Sequence, residues 1–373
     1  MYLKKNKIFF TAVLIFMLSA DMCHAQKFLK YFVSDTTKHR KIFLNWIPFV
    51  GYAPETRIAG GVVGIATSHL GQDTLKERPS SLQLAAIYTQ NKQAFIYLPY
   101  QLYFHQQVYS VYGELGYYKY NYRFFGIGND HSLSYNGEEY FVNYPRLRLT
   151  ALKKLTKIFY AGIKYSFDNF DITSEDSSGE LIHHTIPGSK GGNISGLGVA
   201  TIIDSRDNVF FPSHGTYTEI FIQPFTTWMG SNYTFTLFSI NSSAYFKTFP
   251  KQVIAFNLYY ESVAGTAPFY LLPELGGANT LRGLYEGDYR DNYAAALQAE
   301  YRFAIWKFLG GDLFGDMGEV VGTPDEAALN ILRYTYGFGI RIQIDPKQKI
   351  NLRGDIGFSD GSPAFYFTYG EAF

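Results

Sequence analysis

Cysteine is almost absent from this chain: one residue, Cys23, in 373. A disulfide scaffold is thereby excluded, and past position 23 so are thiolate catalysis and cysteine-based metal centres. Charge is also scarce, 17% of residues, and balanced, with 33 Lys and Arg against 32 Asp and Glu. No basic surface of the kind that binds nucleic acid follows from such a balance. Beyond the first 25 residues no run approaches the roughly 20 apolar residues that a membrane-spanning helix needs. A bilayer-embedded form of this chain would therefore have to be a closed barrel, which satisfies its backbone hydrogen bonds between strands. The sequence has no Gly-x-Ser-x-Gly, no His-Glu-x-x-His and no glycine-rich phosphate loop, so enzyme chemistry is not expected. His183 and His184 with Glu175, Asp176 and Glu180 read as a solvated, charged loop; no metal and no cofactor is expected.

Aromatics, at 18%, and 35 glycines are abundant. Residues 1–25 read as a secretory signal peptide: Lys4, Lys5 and Lys7 precede an apolar core from Ile8 to Ala20, and Cys23-His24-Ala25 offers a cleavage site. A lipoprotein signal fits less well, because bulky Met22 precedes Cys23 and no Leu stands three positions before it. Residues 26–41 form a short periplasmic segment, and residues 42–373 read as an outer-membrane β-barrel.

Period-two alternation carries that reading. Along Ile331 to Ile344, Leu332, Tyr334, Tyr336, Phe338, Ile340 and Ile342 share one face, and Arg333, Thr335, Gly337, Gly339, Arg341 and Gln343 share the other. Ile350, Leu352, Ile356 and Phe358 likewise oppose Asn351, Arg353, Asp355 and Ser359. Lipid outside and water inside produce this pattern. Applied along the chain it predicts an all-β, transmembrane antiparallel barrel of 16 strands, an even number that returns both ends to the periplasmic side. Predicted long connections at 121–139, 170–192, 265–290 and 321–330 follow odd-numbered strands, as outside loops should; 69–80 follows the second strand, against the rule.

Several segments bear on function. Phe365 to Phe373 is an alternating stretch ending on an aromatic; Phe365, Phe367, Gly370 and Phe373 read as a carboxy-terminal assembly signal gripped by strand addition. Strand parity points Glu300 and Asp316 into the lumen, where Arg282, lowered from the glycine-rich stretch Leu275 to Gly287, would pair with both.

Taken together these segments resemble the BamA/TamA-like outer-membrane insertase and translocase superfamily, also called the bacterial surface antigen family. Leu281-Arg282-Gly283-Leu284-Tyr285 is similar to its lid-loop motif. Glu300 and Phe314-Gly315-Asp316-Met317-Gly318 are similar to the wall positions that receive the lid arginine. Tyr122 to Asn129 and Asp204 to Gly215, the latter with Arg206, Asp207 and Pro212, are similar to its early-strand and turn signatures. The resemblance covers residues 42–373. It implies an inward-folded lid loop between strands 11 and 12 of 16, and a lateral seam between first and last strands through which proteins are inserted or translocated. Pro48 in the first strand and Gly370 in the last would weaken that seam. Implied partners are outer-membrane lipids, polypeptide cargo and a separate periplasmic or lipoprotein partner. The last replaces the POTRA domains of most members, for which 26–41 is too short. The alternative is a passive channel or a structural subunit of an outer-membrane complex; a barrel enzyme acting on lipids is a third reading.

Overall fold

The computed structural model describes residues 43–68, 80–129, 137–175, 177–346, 349–360 and 363–373. The expected signal peptide, the segment 26–41, Asp176 and the connection 69–79 lie outside them. The strands are β1 Phe43–Ala53, β2 Arg57–Ser68, β3 Ser80–Thr89, β4 Ala94–Phe104, β5 Tyr109–Phe124, β6 Glu138–Lys154, β7 Phe159–Glu175, β8 Gly192–Asp204 and β9 Gly215–Phe225. Then come β10 Phe235–Lys247, β11 Gln252–Gly265, β12 Glu274–Leu275, β13 Tyr289–Arg290, β14 Tyr293–Trp306, β15 Leu309–Val321, β16 Arg333–Asp345, β17 Ile350–Phe358 and β18 Ala364–Tyr369.

All but β12 and β13 close into one antiparallel barrel, in which each strand pairs with its sequence neighbour and β18 returns to β1. The count is 16 barrel strands, as the alternation predicts. The short β12 and β13 pair with each other inside the β11–β14 connection, a detail too brief for any periodic signal. Four long connections, after β5, β7, β11 and β15, emerge at one end of the barrel.

Alternation sets the radial order. On β16, Tyr334, Tyr336, Phe338 and Ile340 are exposed outward, while Thr335 and Arg341 are buried inside. The same holds for Phe256 and Leu258 against Ala255 and Asn257 on β11. An outward apolar belt with a polar interior suits a hydrocarbon exterior. Inside the lumen, Tyr118 of β5, Tyr144 of β6, Phe170 of β7 and Tyr270 stack in a row, with centroids 5.0, 4.5 and 4.0 Å apart. Arg146 lies 5.3 and 5.1 Å from the first two rings. Tyr270 belongs to the β11–β14 connection, so the ladder docks the start of that loop against the wall.

Candidate functional site

The β11–β14 connection, residues 266–292, turns into the barrel. Its apolar members Leu275, Leu281, Leu284 and Tyr289 pack on Ala294 and Ala296 of β14 and Val320 of β15. Alanines on that stretch of wall leave the room the leucines fill. Complete burial of Leu275 and Leu281 contributes roughly 1.5–3 kcal/mol each. Part of that offsets strain, because Leu281 adopts a left-handed φ of 50°, which costs on the order of 1–3 kcal/mol for a residue with a β-carbon.

Glycines on the wall complete the cradle. A β-carbon on Gly357 of β17 would stand 2.5 Å from the Arg282 carbonyl oxygen, and one on Gly318 of β15 3.0 Å from Leu281 Cδ1. The approach of lid backbone to wall backbone is possible because these positions carry no side chain.

Arg282 is fully buried at the centre of this contact. Its Nη1 lies 2.8 Å from Glu300 Oε2 and donates to Asp355 Oδ2 at 3.0 Å. Asp312 and Asp316 stand further off, each at 3.8 Å. The guanidinium also sits over the Phe314 ring, 3.6 Å from its centroid. Burial works against the charge of Arg282, but Glu300, Asp316, Asp355 and Asp312 hold it above its ordinary pKa. Glu300, Phe314, Asp316 and Gly318 are thus gathered around the lid. Asp355, which resemblance did not single out, is a closer partner than Asp316. Strand parity alone places it in the lumen beside Arg353; its pairing with a loop from elsewhere is not encoded in the strand's own pattern.

The acids are shared with wall arginines. Arg302 donates to Glu300 at 2.7 Å, and Arg341 lies 2.5 Å from Asp355, 2.9 Å from Asp312 and 3.3 Å from Glu300. Arg353 donates to the Ala278 carbonyl at 3.1 Å. Such mutual compensation lets so many charges remain buried.

The aromatic segment after Tyr122 packs on the same loop. Phe124 meets Phe269 at 5.0 Å and Phe125 meets Tyr285 at 5.4 Å, while the Gly128 N–H donates to the Arg290 carbonyl at 2.8 Å. The Asp204–Gly215 turn lies at the opposite end, between β8 and β9. There Arg206 pairs with Asp204 at 3.0 Å and lies over Tyr217. Asp207 accepts from the Ser213 N–H at 2.7 Å, the Ser213 hydroxyl at 2.6 Å and the His214 N–H at 3.2 Å. Pro212 and Gly215 lead the turn into β9. His183 and His184 lie in the β7–β8 connection, and the described residues contain no acidic or histidine group suited to a metal ion.

The end of the chain departs from the expected strand 364–373. β18 stops at Tyr369, and Gly370 takes a φ of +81°, a conformation that favours glycine. Gly370 is therefore a bend beyond the strand rather than a weak position within it. Glu371 then accepts from Arg341 Nε at 2.8 Å and Asn351 Nδ2 at 2.7 Å. Phe373 packs on Tyr245, Val253 and Ala255, and its carbonyl accepts from Arg302 at 3.0 Å. Lumen arginines facing an acid and a carbonyl draw the tail inward. Phe365 and Phe367 remain in β18, half-buried.

The contact between β1 and β18 is short. Among the described residues Tyr52 opposite Phe367 is its one paired position, whereas β1 and β2 pair from Phe43 opposite Thr67 to Ala53 opposite Arg57. Pro48, opposite Val62, accepts from the Tyr369 hydroxyl at 3.4 Å, and Phe49 meets the Tyr369 ring at 5.7 Å. Side chains carry much of this junction.

The Omp85 superfamily domain matches residues 79–373. The chain belongs to the Omp85 superfamily. Among solved structures, BamA from Haemophilus ducreyi lacking POTRA domains 1–3 is similar to this Omp85 barrel with a TM-score of 0.61 and 16% identity, over 89% of this chain and 70% of that one. CdiB from Escherichia coli aligns with a TM-score of 0.59 and 10% identity, over 89% and 63%. CdiB from Acinetobacter baumannii aligns with a TM-score of 0.55 and 11% identity, over 89% and 60%. The Omp85 chain thus spans less than two thirds of either CdiB. No curated protein is significantly similar in sequence. At these identities the neighbours support the barrel and its strand order.

Proposed function

We propose that this Omp85 barrel resides in the outer membrane of a Gram-negative bacterium, reached through the Sec pathway by its first 25 residues, and assists insertion or translocation of polypeptides through the β1–β18 seam. The observation that carries the reading is that, among the described residues, a single paired position, Tyr52 with Phe367, joins two strands whose other neighbours are zipped along their length. Opening costs few backbone hydrogen bonds and presents unpaired N–H and C=O groups at membrane depth. In hydrocarbon each such group left unpaired costs several kcal/mol, so an incoming strand that pairs with the edge is strongly favoured. The process needs no covalent step, and the protein is not an enzyme on this reading. Arg282, held by Glu300, Asp355 and Asp316, keeps the lid against the wall during opening, and the assembly signal in β18 guides the barrel's own biogenesis. Outer-membrane lipids and a periplasmic or lipoprotein partner complete the system. The alternative, a passive channel or structural subunit, fits less well with a lumen occupied by the lid and the tail.

The test is reconstitution. Vesicles carrying the purified barrel should fold an added urea-denatured outer-membrane protein several-fold faster than empty vesicles. Equal rates, with steady ion conductance through the barrel, would replace insertion by the channel reading.

A further inference from the structure

The lid loop touches both sides of the seam. On one side the Glu286 N–H donates to Glu55 Oε1 at 2.8 Å. Glu55 is buried in the turn that joins β1 to β2, so this bond ties the lid to the first hairpin. That hairpin is itself braced, because the Glu55 carbonyl accepts from Asn91 Nδ2 at 2.7 Å and Gln93 Nε2 at 3.2 Å. On the other side the Gly283 N–H donates to the Tyr366 hydroxyl, and that hydroxyl donates to the Leu284 carbonyl, each at 3.1 Å. Tyr366 lies in β18 and is buried. Ser359, just beyond β17, donates to the Gly283 carbonyl at 3.1 Å, and Asp355 of β17 holds Arg282.

We infer that residues 282–286 act as a clasp across the seam, with Glu55 and Tyr366 as the positioning residues that fasten it to the first and last strands. Among the described residues, Tyr52 and Phe367 are the pair in register between β1 and β18, so the polar contacts through the lid rival the seam's own. Glu55 and Tyr366 are both buried, and a buried donor or acceptor left alone costs more than an exposed one. Separating β1 from β18 pulls the Glu55 anchor away from the Tyr366 anchor, and one must release. The lid is then an element whose detachment from either side permits opening, beyond its role of bracing the wall. The inference rests on the reading that this seam opens, and it identifies what governs the opening.

The experiment measures the seam directly. In a Cys23→Ser background, spin labels at Val62→Cys on β2 and Ile356→Cys on β17 flank the seam without touching the clasp. Pulsed electron spin distance measurements on the barrel in phospholipid vesicles should give one dominant short distance. Tyr366→Phe keeps the ring but removes both hydrogen bonds, and Glu55→Ala removes the acceptor. Each should raise the population of a longer distance several-fold, and the pair together should raise it further. Glu55→Gln keeps a carbonyl acceptor for the Glu286 N–H and should resemble the parent. An unchanged distribution in Tyr366→Phe and Glu55→Ala barrels, folded by their heat-modifiable gel mobility, would overturn the clasp. A longer distance without any change in the rate of protein insertion would leave the clasp standing and count against the insertion reading.

Discussion

The guanidinium of Arg282 lies flat enough on Phe314 to stand 3.6 Å from its ring centroid while Nη1 meets Glu300 at 2.8 Å. Stacking and charge pairing act on one planar group, a combination lysine cannot reproduce. Arg282→Ala would leave Glu300, Asp312, Asp316 and Asp355 facing one another with one fewer cation. Breaking such a buried network costs on the order of 3–5 kcal/mol. The expected outcome is a folded barrel with a lid cleaved readily by added protease and with reduced insertion; Arg282→Lys should fall between. Gel mobility, limited proteolysis and the vesicle assay check each part.

Gly357→Ala places a β-carbon 2.5 Å from the Arg282 carbonyl oxygen. Backbone stands on both sides of that contact, so relief requires the lid to move. The substitution should raise protease sensitivity of residues 276–287 to the level of Arg282→Ala although no charge changes. Parent-like protection would show that the lid tolerates displacement from β17.

Glu286 in the lid keeps its side chain partly exposed, yet desolvation by the surrounding lumen wall, followed by Glu274 and Glu55, pushes its carboxyl up to about 8 against the opposing effect of Arg290 and Arg146. The phenols of Tyr120 and Tyr285 also face this group, and Glu55 is raised as well, chiefly by burial. An acid whose pKa is raised by docking binds more protons docked than free, so docking weakens as pH rises from the ordinary 4.5 to about 8 and is constant above. Proteolysis of the lid in intact barrels should therefore increase from pH 5 to pH 8. Glu286→Gln should flatten that dependence.

At the opposite end, burial raises the Asp207 pKa, but the Ser213 hydroxyl and the Ser213 and His214 N–H groups outweigh it and hold the carboxyl at about 2. The stabilisation of the turn is present above the ordinary 3.8 and is lost as pH falls towards 2. Asp207→Ala should lower the urea midpoint of unfolding at neutral pH, with the difference from the parent shrinking in acid.

Much of the barrel was legible because one physical fact, lipid on one side of each strand and water on the other, is written at every second residue. Tyr334 and Arg341 on β16 fall on the faces their parity assigns. The end of β18 was not legible, since Phe373 continues the alternation while Gly370 and the pull of Arg341 and Arg302 turn the chain inward. Glu300 and Asp316 were found through resemblance and parity together. Asp355 was placed on the correct face, but the stagger of strands around the barrel determines which lumen groups share a height, and one strand's periodicity does not encode it. The bond from Glu286 to Glu55 spans 231 positions, and no local pattern marks it.

The most direct test of the seam is to lock it. Tyr52 and Phe367 face each other across β1 and β18, and directly opposed antiparallel residues have Cα atoms about 4.5–5.5 Å apart, within disulfide range. A Cys23→Ser, Tyr52→Cys, Phe367→Cys barrel, compared oxidised and reduced in the same vesicles, should accelerate folding of a denatured outer-membrane protein only when reduced. Equal acceleration in both states would contradict the account and move the working part of the molecule away from the β1–β18 junction.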